Sequence, residues 1–327
     1  MIFTLCCVCS IIITDTAAQT NPTVVGFYNV ENLFDTVDDL KIDDEEFLPN
    51  GANQWTEDKY QQKLNNISRV IAGFKPAILG VSEIENRKVL EDLVLHPNIK
   101  AGHYQIVHFD MQDARGIDVA LLYQPSVFKP FKIVQVKITD PDEPNFKTRN
   151  ILWVKGLFKG DTLHVAINHW PSRRGGGSET KRILAAKALR KTVDSVLQVN
   201  PKSNIVMMGD FNDDPNNRSI KKIVLAKDKS DQEPLINVAE PTFKKGRGTL
   251  LYDGIWNLFD QIFISSALHD QSECEYLDDS FRVVNFPWML VPKGKYAGGP
   301  QRAFVDGVFN PDGFSDHLPV FILLNKQ

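Results

Sequence analysis

The sequence predicts a layered α/β fold in a single domain. Two observations support this class: amphipathic helical segments alternate with short apolar runs typical of buried strands, and no repeat, low-complexity tract or long linker divides the chain. With 327 residues, of which 43% are hydrophobic and 24% charged, the chain can bury a substantial core. The formal charge of -4 argues against bulk electrostatic coating of nucleic acid, so any phosphate recognition has to be local.

The first twenty residues have features of a signal peptide. An apolar segment from Ile2 to Ile13 precedes the small residues Thr16-Ala17-Ala18, so we expect a signal over residues 1–18 and a domain over residues 22–327. No Lys or Arg precedes the apolar segment, and a buried first strand is the alternative. The segment is too short to span a bilayer. We therefore expect a bacterial-type secreted or periplasmic protein without stable membrane insertion.

The first part of the domain alternates between strand and helix. Val24 to Tyr28 predicts a buried strand, and an acidic loop follows over residues 35–46. Thr56 is a suitable N-cap for a helix that ends near Gly73. The apolar face of this helix consists of Tyr60, Leu64, Ile67 and Ile71. Ala77 to Val81 then predicts the next buried strand.

The second part repeats this alternation and then adds an insertion. The further predicted strands are Val119 to Tyr123, Ile151 to Phe158, Leu163 to Ile167, Ile205 to Met208 and Gln261 to Ser265. A helix is predicted from Glu179 to about Val199. The aromatic-rich insertion from Asp270 to Asp312 is compatible with a base-stacking wall, a lipid-facing edge or a small core of its own.

Polar side chains recur at the ends of the predicted strands. The residues that follow strands are Asn29, Glu83, His169, Asp210 and Asn212, and those that precede strands are Asp260 and the pair Asp316-His317. Each alone has an ordinary structural explanation, such as a surface carboxylate, a turn residue or a core histidine. Their repeated placement indicates instead that they meet at a shared sheet edge, where strand ends hold a site on a rigid scaffold.

This set suits the metal-assisted attack of water on a phosphoester. Mg²⁺ prefers oxygen ligands and needs few carboxylates, whereas a cysteine-poor set disfavours zinc and copper. His317 would accept the proton of the water if Asp260 orients its ring. Asp210 and Asn212 would orient that water, and His169 would stabilise charge in the transition state. Asp316 and His317 are neighbours on an extended segment and point to opposite faces, so we expect Asp260 to hold the imidazole.

The ordered motifs resemble those of a known superfamily. They are Tyr28-Asn29-Val30-Glu31-Asn32-Leu33, Ser82-Glu83, Gly209-Asp210-Phe211-Asn212, Trp256 through Ile262 and Ser315-Asp316-His317-Leu318-Pro319-Val320. Their order is similar to that of the endonuclease/exonuclease/phosphatase superfamily, the deoxyribonuclease I-like proteins. The resemblance covers essentially all of residues 22–327. It implies an α/β (α+β) four-layer αββα sandwich, in which two packed mixed sheets are flanked by helices.

The resemblance also implies roles for individual residues. The implied catalytic residues are His169, Asp210, Asn212, Asp260 and His317, and the implied metal-site residues are Asn29, Glu83 and Asp316. Arg115 corresponds to a phosphate-contacting position. Arg173 and Arg174, in a glycine-rich loop beside His169, are expected to bind the substrate because guanidinium groups suit phosphate. The expected metal is Mg²⁺, with Mn²⁺ or Ca²⁺ as alternatives.

From these observations we expect a secreted, metal-dependent phosphodiesterase that acts as a monomer. The favoured substrate is nucleic acid, DNA or RNA, cleaved as by an endonuclease. The alternative within the enzyme class is a sphingomyelinase-like or other phosphoesterase acting on a lipid or a small phosphate ester. A non-catalytic binding protein on the same scaffold is a third hypothesis, although no expected catalytic position is lost.

Overall fold

The computed structural model describes residues 21–173, 178–225, 233–269 and 274–326. The predicted signal peptide, residues 1–18, and the predicted substrate-binding Arg174 therefore lie outside the described residues. None of the helices in the described ranges is long and apolar enough to cross a bilayer.

Strands dominate the described chain, and five helices connect them. The strands are β1 (Thr23–Leu33), β2 (Ile78–Ile84), β3 (Gln105–His108), β4 (Asp118–Tyr123), β5 (Phe128–Val136), β6 (Ile151–Phe158), β7 (Asp161–His169), β8 (Asn204–Asp210), β9 (Leu235–Asn237), β10 (Leu250–Tyr252), β11 (Ile255–Asn257), β12 (Asp260–Ser265), β13 (Cys274–Tyr276), β14 (Arg282–Val283), β15 (Phe304–Val305), β16 (Val308–Phe309) and β17 (Val320–Lys326). The helices are α1 (Glu57–Phe74), α2 (Arg87–Leu95), α3 (Glu179–Val199), α4 (Glu240–Lys244) and α5 (Ser266–His269).

Two mixed sheets form the centre of the fold. The first has the order β13-β17-β1-β2-β4-β3, with β14 also paired to β17, and the second has the order β5-β6-β7-β8-β12-β9. Each contains one parallel pair, β1 with β2 and β7 with β8, among antiparallel neighbours. The sheets pack face to face: a Cβ added at Gly80 of the first would lie 2.9 Å from Ile167 Cδ1 of the second.

Helices cover both outer faces, which completes four layers. The core between the sheets includes Phe27 and Met208, one from each sheet. On the outer face of the first sheet, α1 and α2 pack their apolar residues into a second core. On the outer face of the second sheet, α3 contributes Leu189 and Val193 to a third core. The predicted αββα sandwich is therefore confirmed, since each amphipathic helix buries one stripe against a sheet.

Helix α1 begins as predicted but ends for a different reason. Thr56 occupies the N-cap with extended backbone, although its side chain makes no capping hydrogen bond. Gly73 lies inside the helix, where its missing side chain admits the ring of Phe286: a Cβ there would lie 2.5 Å from Cε2 of that ring. The helix ends when Lys75 adopts the left-handed conformation at φ 50°.

Most aromatic side chains of the insertion are packed inside it and against its neighbours. Phe304 and Phe309 contact Trp55 at ring-centroid distances of 5.6 and 5.1 Å. Phe286 stacks on Trp288 at 5.1 Å. These rings belong to the same core as the apolar residues of α1 and α2, so they extend the core on the outer face of the first sheet and do not form a separate one.

Candidate active site

The register of the second sheet places three predicted site residues side by side. His169 at the end of β7 pairs with Asp210 at the end of β8, and Asp210 pairs with Asp260 at the start of β12. The sequence predicted these residues just outside the strands, whereas they occupy the last ladder positions. All three are buried. Strand pairing, rather than loop conformation, therefore determines their spacing.

Asn29 and Glu83 approach this row from the first sheet. Asn29 Nδ2 donates hydrogen bonds to Asp210 Oδ2 at 3.1 Å and to Glu83 Oε1 at 3.2 Å. Glu83 has a φ of 63°, and the pairing of β2 with β4 shifts register at this point. The irregularity aims the carboxylate at the site, where the Asn32 N–H also donates to Oε2 at 3.0 Å. The side-chain amide of Asn29 therefore links strand ends of the two sheets.

His317 is held by Asp260. Its Nδ1 lies 2.6 Å from Asp260 Oδ2, while its Nε2 lies 3.8 Å from Asp210 Oδ2. The neighbouring carboxylate, Asp316, comes no closer to the ring than 3.9 Å, at Nε2. The backbone is fixed as well, because Ser315 Oγ accepts from the His317 N–H at 3.0 Å. The hydrogen bond from His317 to Asp260 that the sequence predicted is present.

His169 faces the same carboxylate from the opposite side. Its Nε2 lies 3.6 Å from Asp210 Oδ2 and 3.8 Å from Glu83 Oε1. Nδ1 is buried and has no hydrogen-bond partner among the described residues. Burial lowers the pKa of His169 well below its usual value, and the positive charges of Arg149, Arg115 and His317 act in the same direction. His169 is therefore neutral at physiological pH.

The pKa values of Asp210 and His317 are both raised. Burial raises the pKa of Asp210 to about 7. Burial alone would lower the pKa of His317, but the negative charges of Asp260, Asp210 and Asp316 raise it well above its usual value. The site therefore concentrates negative charge in a poorly solvated space and favours cations or protons there.

Asn212 completes the Asp210 turn. Its backbone N–H donates to Asp210 Oδ1 at 2.9 Å, and its side-chain Nδ2 donates to the carbonyl oxygen of Trp170 at 3.0 Å. Its φ is 50°, a left-handed conformation that Asn tolerates better than most residues. Asn212 therefore orients one oxygen of Asp210 and leaves Oδ2 directed at the two histidines.

The donor set fits a divalent cation that prefers oxygen. Glu83 and Asp316 are partly exposed, at 15% and 16% of their side chains, and lie 3.8 Å from His169 Nε2 and 3.9 Å from His317 Nε2 respectively. Asp210, Asp260 and His317 also place ligand atoms within 4.8 Å of one another, but the hydrogen bond between Asp260 and His317 already engages two of those atoms. We propose that Glu83 and Asp316, assisted by Asn29, hold the ion.

The arginines predicted to bind substrate differ in their placement. Arg115 is half exposed and lies 3.6 Å from Asp113, near enough to His169 to influence its charge. Arg173 keeps 39% of its side chain exposed, and its guanidinium donates to the Asn212 carbonyl oxygen at 2.9 Å and to Asp213 at 3.1 Å. These contacts hold Arg173 against the loop that follows β8, and its role in substrate binding stays a prediction.

Three residues near the site were not predicted from the sequence. Arg149 is buried and donates to the carbonyl oxygens of His169 and Trp170, at 3.3 and 2.8 Å. Lys63, fully buried on α1, donates to the Phe314 carbonyl oxygen at 2.9 Å. Glu31, two residues beyond Asn29, accepts from the Ala303 N–H at 2.6 Å. A lysine on the apolar face of a predicted helix was the available signal for Lys63. Arg149 carried no comparable signal.

Comparisons with known proteins place this geometry in a family. A family model described as Endonuclease/Exonuclease/phosphatase family matches residues 24–326. Among solved structures, humanised D. rerio TDP2 has a TM-score of 0.59 at 13% identity, covering 93% of this chain and 99% of that one. A mannosyl-6-phosphatase from Bacteroides thetaiotaomicron has a TM-score of 0.59 at 15% identity, covering 92% and 99%.

A third similar structure is the human Nocturnin catalytic domain with bound sulfate, with a TM-score of 0.56 at 16% identity, covering 94% of this chain and 95% of that one. At these identities the likeness establishes the fold. No curated protein sequence gives a significant match.

Proposed function

The chain belongs to the endonuclease/exonuclease/phosphatase family, and from that premise we propose that it is a Mg²⁺-dependent hydrolase of phosphodiester bonds in DNA or RNA. The observation that carries the proposal is the arrangement around Asp210 Oδ2. His317 Nε2 lies 3.8 Å from that atom and His169 Nε2 lies 3.6 Å from it. Glu83 lies 3.8 Å from His169 and Asp316 lies 3.9 Å from His317, so a base, an electrophilic donor and oxygen ligands belong to one cluster.

In the proposed reaction His317 is the general base. The surrounding carboxylates raise the pKa of His317 and so favour its protonated form, and a bound cation would lower that pKa. In the neutral form that acts as base, the bond to Asp260 keeps the proton on Nδ1, and Nε2 presents its lone pair to the site. Asp210 orients the attacking water, whose proton passes to Nε2 as its oxygen bonds to phosphorus. Asp260 stabilises the imidazolium that results. The bond from phosphorus to the leaving oxygen then breaks.

His169 is proposed to stabilise the phosphoryl oxygens. Nδ1 has no acceptor within the described part of the chain, so the neutral ring carries its proton on Nε2, which faces the site. Arg149 fixes the backbone at His169 through its carbonyl oxygen. The divalent ion, held by Glu83 and Asp316, would supply positive charge to the phosphoryl group and the leaving oxygen.

Nucleic acid is the preferred substrate class within this proposal. One similar structure is described as D. rerio TDP2 complexed with single strand DNA product, at 15% identity and a TM-score of 0.57. Arg115 lies half exposed at the rim of the site, where a cation can contact the phosphate backbone. The signal-like segment over residues 1–18 supports action outside the cytoplasm.

A phosphatase acting on a small phosphate ester is the second candidate. The similarity to a mannosyl-6-phosphatase favours it, because that structure matches the fold as well as the TDP2 structures do. The same base and ion would serve either ester, and the difference lies in what surrounds the scissile phosphate.

A panel of phosphoesters tests the proposal. The purified chain is incubated with plasmid DNA, RNA, sphingomyelin, mannose 6-phosphate and a small aryl diester, each with Mg²⁺, Mn²⁺ or Ca²⁺. We expect cleavage of DNA or RNA with Mg²⁺ and none after chelation. Hydrolysis of only the sugar phosphate or of sphingomyelin would replace the nuclease assignment, and inertness towards every ester would contradict the enzyme assignment.

A further inference from the structure

A second cleft lies on the outer face of the second sheet, beside α3. Its volume is about 610 Å³, and strands β5, β6 and β7 together with the C-terminal half of α3 line it. His164 in this cleft is five residues before His169 on β7, roughly 16 Å along the strand. The cleft is therefore separate from the proposed active site.

A row of basic side chains crosses the floor of this cleft. In the strand register, Lys132 of β5 pairs with Lys155 of β6, and Lys155 pairs with His164 of β7. Directly opposed residues have Cβ atoms about 5 Å apart, and like charges in that position are destabilising. Lys202, just after α3, adds a third ammonium group to the lining.

These three positive charges are not compensated within the described ranges. Asp161 is the acidic residue among the cleft-lining residues, and it is paired with Lys326 at 2.9 Å. No salt bridge joins Lys132, Lys155 or Lys202 to another described residue. A cleft lined by three lysines whose charges are not neutralised by an acid is complementary to an anion.

His164 adds an oriented donor to the row. Trp153 Nε1, which can only donate, lies 3.1 Å from His164 Nδ1, so Nδ1 accepts and the proton of the neutral ring is on Nε2. Burial, with the charges of Lys155 and Lys132 acting in the same direction, lowers the pKa of His164 to about 4. Nε2 has no hydrogen-bond partner among the residues that the structure describes.

The remaining lining is apolar. Trp153 and Val134 oppose each other across β5 and β6, and Val196 and Val199 come from α3. Apolar walls with a few convergent polar donors are typical of small-molecule sites, and the volume lies in their usual range. The occupant should therefore combine an anionic group with an apolar or ring-shaped body.

We propose that this cleft binds a small phosphomonoester dianion, its phosphate held by Lys132, Lys155 and His164 and its body against Trp153 and the valines of α3. The two adjacent ammonium groups favour a dianion over a single carboxylate, because a dianion supplies one negative charge for each of the two lysines. The site is independent of the chemistry proposed at His317.

Binding of phenyl phosphate by the full chain tests this proposal. Calorimetric titration is carried out with EDTA in the His317→Ala background, so that turnover is absent. We expect saturable binding of one equivalent, weaker binding of inorganic phosphate, and no binding of phenol. The double variant Lys132→Ala/Lys155→Ala should bind phenyl phosphate at least about tenfold more weakly.

Lys129→Ala/Lys137→Ala is the matched control, because it removes the same charge from exposed positions at β5 that do not line the cleft. It should bind phenyl phosphate as the parent does. The proposal is overturned by unchanged affinity in Lys132→Ala/Lys155→Ala, by an equal loss in the control, or by absence of binding to the parent. Inorganic phosphate that binds as tightly as phenyl phosphate would overturn the assignment of an apolar body.

Discussion

Two carboxylates compete for the role of partner to His317, and their distances separate them. Asp260 Oδ2 lies 2.6 Å from Nδ1, whereas Asp316 Oδ1 lies 3.9 Å from Nε2 and is partly exposed. Only Asp260 can orient the ring, because a carboxylate at 3.9 Å makes no hydrogen bond. We therefore propose that Asp316 serves the metal side of the site.

The corresponding prediction concerns Asp260→Asn and Asp316→Asn. Asp260→Asn should lower kcat by about 10²- to 10⁴-fold at saturating Mg²⁺, since the base loses its orienting and stabilising partner. Asp316→Asn should instead raise the Mg²⁺ concentration needed for half-maximal rate. Steady-state kinetics over a Mg²⁺ series distinguishes them, and an identical response of the two variants would contradict the assignment.

The lowered pKa of His164, which lies outside the proposed active site, predicts that the stability of the protein depends on pH. Its pKa is lowered from 6.5 to about 4 by burial and by Lys155 and Lys132. A depressed folded-state pKa contributes stability that is fully present above pH 6.5 and is lost as the pH falls through about 4. The free energy of unfolding of His164→Gln, measured with urea, should therefore decrease less between pH 7 and pH 4 than that of the parent. The exposed His103→Gln serves as control, and equal pH slopes for His164→Gln and the parent would refute the prediction.

Residue type and position predicted much of the site. The sequence indicated Asn29, Glu83 and Asp210 because each is a polar residue at the end of an apolar run, a placement that the packing of a buried strand does not require. Arg149 was not predictable in the same way: its importance comes from two carbonyl oxygens that the fold brings to it. Arg173 was predicted to bind substrate from its place in a glycine-rich loop, and its contact with Asp213 was not predictable because the fold brings that acid to it.

At the scale of elements, β1 continues beyond Asn29 and anchors the insertion. Glu31, at φ 53°, accepts from the backbone N–H groups of Ala303 at 2.6 Å and Phe304 at 3.4 Å. Burial raises the pKa of Glu31, to about 8, and the nearby Lys63 opposes this shift. A buried carboxylate thus ties the insertion to the strand that carries Asn29.

Replacement of this anchor has a predicted cost. Glu31→Ala should destabilise the chain by about 1–3 kcal/mol, since buried N–H groups lose their acceptor. Urea unfolding in EDTA measures the loss, and limited proteolysis should show faster cleavage between residues 290 and 312. The exposed Glu45→Ala is the control. A change no larger than that of the control would show that the insertion is held by its aromatic contacts alone.

Elements with a regular pattern were predicted and irregular ones were not. The hairpin of β6 and β7 was found because both strands are apolar runs around a Gly turn. Strand β5 was missed, because it is an exposed edge strand interrupted by Pro130 and lacks alternation. The packing of the insertion depends on distant partners such as Trp55, which local pattern does not reveal.

At the scale of the whole molecule, strand ends of both sheets meet on one side of the sandwich. Every strand that carries a catalytic candidate has that residue at this end. The prediction of four layers came from the resemblance of the ordered motifs to a known superfamily. The alternation of predicted strands and helices alone indicated only a layered α/β fold. Substrate choice lies in the loops around these strand ends, and this fold supports many substrates.

The most direct measurement is nicking of supercoiled plasmid DNA by the parent chain, by His317→Ala and by the exposed control His103→Gln. With Mg²⁺ the parent and His103→Gln should convert supercoiled to open circular DNA at equal rates. His317→Ala should be slower by about 10²- to 10⁴-fold, and EDTA should stop all three. Equal nicking by His317→Ala and the parent, or nicking that persists in EDTA, would contradict the proposed active site.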